Sequence, residues 1–135
     1  MSKQEIGISF EGGLKVAAEI KTFRIRTDQS IGDGGDGSEP SPFDLFLASL
    51  ATCAGFYVLS FCRERDIATD EIRMSMTTEK TPGSKWVGKI AIRIDLPPGF
   101  PEKYRTAVVK AAESCTVKAH LHTPPAFDIT AAIRK

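Results

Sequence analysis

The chain has 135 residues, 41% of them hydrophobic and 26% charged, a globular balance expected to fold as one domain over residues 1–135. Its 18 Lys and Arg against 17 Asp and Glu give a net charge of +1 with the signs interspersed. That balance excludes an electrostatic nucleic-acid binder, and no basic run marks a membrane-surface patch. Three cysteines, an odd and small number, exclude a secreted disulfide scaffold.

The N-terminal residues alternate in a strand-like way around Lys3 and Glu5, with no apolar run of the signal-peptide type. Ile6, Ile8 and Phe10 alternate with polar or small neighbours. After a Gly12-Gly13 turn, Leu14, Val16, Ala18 and Ile20 do the same, and Phe23 and Ile25 follow. The short spacings predict a three-stranded antiparallel meander with one apolar and one polar face. The same period of two returns at Ile72-Met74-Met76, at Ile90-Ile92-Ile94-Leu96 and at Phe127-Ile129-Ala131-Ile133, predicting three later strands.

Residues 28–41 read as a flexible connecting loop. Its Gly32-Asp33-Gly34-Gly35-Asp36-Gly37 stretch has the glycines of a phosphate cradle, but its carboxylates would repel a phosphate and no lysine follows them. Ser41-Pro42 then starts a long helix, with Ser41 as N-cap, Pro42 at the first helical position and Asp44 completing a capping box. This helix is expected to reach about Arg65. Its uncharged run, Leu45 to Cys62, is 18 residues long, but Ser49, Thr52, Gly55, Tyr57 and Ser60 dilute it. It therefore reads as a buried helix of a reducing, cytoplasmic protein rather than a membrane span. A helix apolar nearly all round needs cover on every side, which predicts a homodimer with the long helices near its centre. A second, amphipathic helix is expected from about Pro101 to Cys115. Strands in runs, separated by two helices, make the fold class α+β, with antiparallel strands packed on long central helices.

Residue types able to do covalent chemistry are few. His120 and His122, two apart and without a third ligand nearby, make a poor zinc site. No Gly-x-Ser-x-Gly elbow occurs. That leaves Cys53, Cys62 and Cys115. Cys53 and Cys62, nine residues apart, face opposite sides of one helix about 13 Å apart along its axis, so they cannot pair. A free cysteine is most often a small buried hydrophobe.

The stretch from Pro40 through Ser41-Pro42-Phe43-Asp44-Leu45 to Ala51-Thr52-Cys53, followed by Glu113-Ser114-Cys115-Thr116-Val117, resembles the osmotically inducible protein C and organic hydroperoxide resistance (OsmC/Ohr) family. The likeness extends to the strand order, the acidic glycine-rich loop and the 62-residue cysteine separation. Family members usually carry Cys-Pro-Val-His at the second cysteine, where this chain has Cys115-Thr116-Val117-Lys118. The resemblance implies an intertwined homodimer with active sites at the subunit interface. It also implies a peroxidase in which Cys53 attacks an organic hydroperoxide and Cys115 resolves the resulting sulfenic acid to a disulfide. No resident cofactor is implied, only an external dithiol reductant, and neither nucleic acid nor membrane is expected as a partner.

Attack on a peroxide needs the thiolate, of which only about 3% exists near pH 7 at an unperturbed pKa of about 8.5. Burial in an apolar helix shifts a thiol the wrong way, so a cation is expected to reach Cys53. In the family an arginine from the early strands does this, held by an acidic residue before the cysteine. Here Lys15, Arg24 and Arg26 are the candidates, and each also reads as a solvated strand residue. Asp44, nine residues before Cys53, either anchors the cation or caps the helix; the hydroperoxide-resistance branch has Glu one position earlier, where Phe43 stands. Phe43, Phe46, Phe56 and Tyr57 would line an apolar substrate site or simply fill the core. The departures at Phe43, Thr116 and Lys118 favour an alternative, a non-enzymatic protein of the same fold binding a small apolar ligand or a partner at the dimer cleft.

Overall fold

The computed structural model describes residues 2–135. Two compact units divide at a point within the long helix, one ending at Ala48 and the other comprising Ser49–Lys135. The elements are antiparallel strands and three helices, the expected α+β class.

In the first unit, β1 (Gly7–Phe10), β2 (Val16–Ile20) and β3 (Phe23–Thr27) form the antiparallel meander. Gly12 and Gly13 make the first turn at φ 95° and 56°, left-handed values that side chains with a Cβ adopt only with strain. The register pairs Ile8 with Ala18 and Ala18 with Ile25, and Ile20 with Phe23, so the apolar residues share one face as the alternation requires. That face is open to solvent in the single chain, with Ile8 71% and Phe23 64% exposed.

The segment after β3, expected to be flexible, is instead organised by one buried carboxylate. Asp28 accepts from the amides of Gln29, Asp36 and Ser38 and from the Ser38 hydroxyl. These bonds, the Ser38 hydroxyl foremost, lower its pKa to about 2. Gly35 passes so close to the Gln29 carbonyl that an added Cβ would lie 2.2 Å from the oxygen. Alternation and turn residues in the sequence announce a loop but not an aspartate that turns inward to gather its amides.

Helix α1 spans Pro42–Glu64. Ser41 and Asp44 form the reciprocal capping box, the Ser41 hydroxyl accepting from the Asp44 amide and the Asp44 carboxylate from the Ser41 amide. At the other end the Ile67 amide donates back to the Cys62 carbonyl with Asp66 at φ 54°, a Schellman-type stop. Leu50, Ala54, Val58 and Cys62, four residues apart, are the buried stripe of this helix.

In the second unit β4 (Arg73–Lys80) and β5 (Val87–Asp95) form an antiparallel hairpin. The core gathers Val58 and Cys62 of α1 with Val108 of α2 (Arg105–Glu113), flanked by Ile72, Met74, Ile94 and Leu96. Two expectations are corrected here. The single helix expected from Pro101 to Cys115 is a 3-10 turn, then α2, then a break at Ser114 and a third helix, α3 (Thr116–His122). The Ser114 hydroxyl bonds back to the Lys110 carbonyl and Cys115 is extended, at ψ 121°, which ends one helix and caps the next. The strand expected over Phe127–Ile133 does not form, and Ile129 is 91% exposed. Alternation gives a segment two faces but does not supply the neighbouring strand that a ladder needs.

Candidate functional site: two cysteines and the first turn of α3

On α1, Cys53 and Tyr57 lie just beside the buried stripe and are half-buried. Cys115 is almost wholly buried, at 3% exposure. It is the N-cap of α3: its sulfur accepts from the Lys118 amide at 3.4 Å, and its thiol points at the Leu50 carbonyl of α1, 4.0 Å away. Leu50 is one turn before Cys53, so this contact brings the two sulfurs together from positions 62 residues apart.

The acidity of Cys53 follows from what surrounds it. The Val117 amide is the largest influence and stabilises the thiolate, the Cys115 thiol and the Thr116 amide assist, and partial burial opposes them; the thiol is held below its ordinary value. The donors are backbone N–H groups in the first turn of α3, which have no partner within their own helix. Beside them the Tyr57 and Thr116 hydroxyls meet at 2.7 Å. Cys62, fully buried nine residues further along α1, goes the other way, its pKa raised by burial with Arg65 opposing weakly. All three cysteines are free thiols.

A cavity of about 450 Å³ opens on the Cys115 side. Its walls are aliphatic, from Leu50 and Ala54 of α1, Ile90 and Ile92 of β5 and Val109 of α2, with Glu113 and Lys118 as its charged residues. The aromatic side chains instead pair among themselves, Phe43 with Phe46 at 5.5 Å and Phe56 with Tyr57 at 5.4 Å between ring centroids.

The other expected site residues are engaged within the first unit. Lys15 pairs with Asp36, which raises its pKa. Arg24 is held by Glu11 and Glu19, and Arg26 also reaches Glu11, 3.5 Å away. These pairs raise the pKa of Arg24 and lower that of Glu11. Asp44 is occupied in the capping box. The amides of Thr116 and Val117 escaped sequence reasoning because α3 itself did. A signal was present: Ser114-Cys115-Thr116 interrupts the helical pattern, good helix formers follow, and Thr123-Pro124 stops it.

An OsmC-like protein family model matches residues 35–130. The chain belongs to the OsmC-like family. The match runs from the acidic loop through both cysteines, as the motif around Cys53 implied. Among curated proteins none matches this sequence. Solved OsmC-like structures share the fold. A Psychrobacter arcticus protein assigned to osmotic stress and the detoxification response superposes with a TM-score of 0.74 at 21% identity, over 88% of each chain. An OsmC-like protein from Mycoplasma pneumoniae gives 0.68 at 15% identity, over 91% of this chain and 89% of that one. The organic hydroperoxide resistance protein OsmC of Legionella pneumophila gives 0.58 at 17% identity, over 90% of both.

Proposed function

We propose that this OsmC-like protein is a thiol peroxidase for organic hydroperoxides. The observation that carries the reading is the meeting of Cys53, on α1, with Cys115 and with the Thr116 and Val117 amides at the start of α3. The Cys53 thiolate attacks the outer oxygen of the O–O bond; the S–O bond forms, the O–O bond breaks, and the alkoxide leaves as the alcohol after taking a proton from water. Sulfur is oxidised to sulfenic acid and the peroxide is reduced. Cys115 then condenses with the sulfenic acid, giving the Cys53–Cys115 disulfide and water. An external dithiol reduces that disulfide by exchange and is itself oxidised to a disulfide. In this scheme the amides do what was expected of a cationic side chain, stabilising sulfur's negative charge before attack. A reducing, cytoplasmic setting keeps the thiols ready between turnovers.

A homodimer forms part of the same proposal. Its support is the open apolar face of the meander, Phe56 and Leu59 exposed on α1, and the alternating segment at Phe127–Ile133 exposed in the single chain.

The test is consumption of cumene hydroperoxide with a dithiol reductant. Cys53→Ser is expected to abolish turnover, and unchanged turnover refutes the reading. The aliphatic cavity beside Cys115 favours a second reading, a binder of small apolar ligands. Stoichiometric peroxide separates the two: loss of two thiols per chain supports the enzyme and no loss supports the binder.

A further inference from the structure

Tyr57 stands one helical turn after Cys53, so the two side chains share a face of α1. Its hydroxyl meets that of Thr116, the first residue of α3, at 2.7 Å, with either oxygen able to donate. The distance is that of a full-strength O–H···O bond. The Cys115 thiol also ties this turn to α1, but 4.0 Å from the Leu50 carbonyl is a weak contact. Helix α3 is seven residues long, and the chain after Thr123 carries neither helix nor strand. So short a helix has little stability of its own, and its placement depends on what fastens it. Thr116 follows the capping cysteine and precedes Val117, so it sits between the resolving sulfur and the amide that most influences Cys53.

We propose that Tyr57 and Thr116 form a positioning latch that fastens the first turn of α3 to α1, keeping the Thr116 and Val117 amides and the Cys115 sulfur in register with Cys53. The inference rests on the reading of Cys53 as the attacking thiol and adds two positioning residues to it.

The experiment follows iodoacetamide alkylation of Cys53 against pH, read by mass spectrometry of its peptide in the reduced, full-length protein, with helicity and melting temperature recorded in parallel. Tyr57→Phe and Thr116→Val are each expected to raise the alkylation midpoint by about half a pH unit, about a threefold loss of thiolate below it. Because they break one shared bond, the double variant is expected to show no further shift. Thr116→Ser, which keeps the hydroxyl, is expected to titrate with the unmodified chain. Unmoved midpoints in both single variants, fully additive shifts, or a Thr116→Ser protein that behaves like Thr116→Val would each overturn the latch. If Thr116→Val fails to fold, Tyr57→Phe decides the question alone. None of these readouts uses turnover. A Cys53→Ser protein that still consumes peroxide removes the peroxidase reading, whereas an unmoved alkylation midpoint removes only the latch.

Discussion

Replacing Cys115 separates its capping role from the redox role proposed for it. Its side chain is 3% exposed, and its sulfur accepts the Lys118 amide at 3.4 Å as the N-cap of α3. Cys115→Ala removes a cap whose loss costs about 0.5–1 kcal/mol, sulfur being a weak acceptor. It also removes a buried sulfur, whose transfer and residual cavity cost about 1–1.5 kcal/mol more. The total, about 2 kcal/mol, lowers the melting temperature by about 6–8 °C for a chain of this size. Cys115→Ser keeps a hydroxyl acceptor in the N-cap position, where serine is among the preferred residues, and is expected to stay within about 1 kcal/mol of the unmodified protein. Thermal unfolding followed by circular dichroism in excess reductant gives both values. The peroxide arm is equally specific: both variants are expected to stop at the Cys53 sulfenic acid, trapped by dimedone, with no intramolecular disulfide. Equal losses for Ala and Ser would show that the cap does not hold α3. A melting temperature unchanged in Cys115→Ala would refute the packing and the cap together.

Val108→Ala removes two methyl groups from the cluster of Val58, Cys62 and Val108 and is expected to cost about 2–3 kcal/mol, with an unchanged denaturant slope in urea titration. Asp28 has a folded pKa lowered from 3.8 to about 2, so its contribution is fully present above its unfolded value and is lost as pH falls through about 2. Asp28→Asn is expected to destabilise at neutral pH and to flatten the fall in melting temperature over that acid range. In the native, reduced protein at pH 7.5, Cys53 is expected to react with iodoacetamide at least about tenfold faster than Cys62, which is buried with its pKa raised. Light scattering after size exclusion is expected to give the mass of two 14.7 kDa chains, and a monomeric mass at micromolar concentration would sink the dimer.

The meander was readable because its signals are local. Alternation assigns each residue a face, Gly12-Gly13 fixes the first turn, and the two together set the register that pairs Ile8 with Ala18. The start of α1 was readable for the same reason, Ser41 and Asp44 closing a box within four residues. What could not be read depends on partners distant in sequence. Alternation placed Lys15, Arg24 and Arg26 on a polar face, but not that acids as remote as Asp36 hold them. Phe127–Ile133 has the alternation of a strand, yet periodicity carries no information about a hydrogen-bonding neighbour. Helix α3 escaped because cysteine is an unusual cap and seven residues give little periodic signal. The expectation that Cys53 and Cys115 act together came from the resemblance around Cys53 rather than from geometry.

Cys62 gives α1 a second sulfur with the opposite temperament. Burial keeps it protonated and shut away from solvent, while Cys53, on the far flank of the same helix, is half-buried and acidic. Under the proposed cycle an oxidant is thereby sorted by chemistry and by access at once: peroxide spends itself on the sulfur that a dithiol regenerates and spares the one whose oxidation would prise the interior apart.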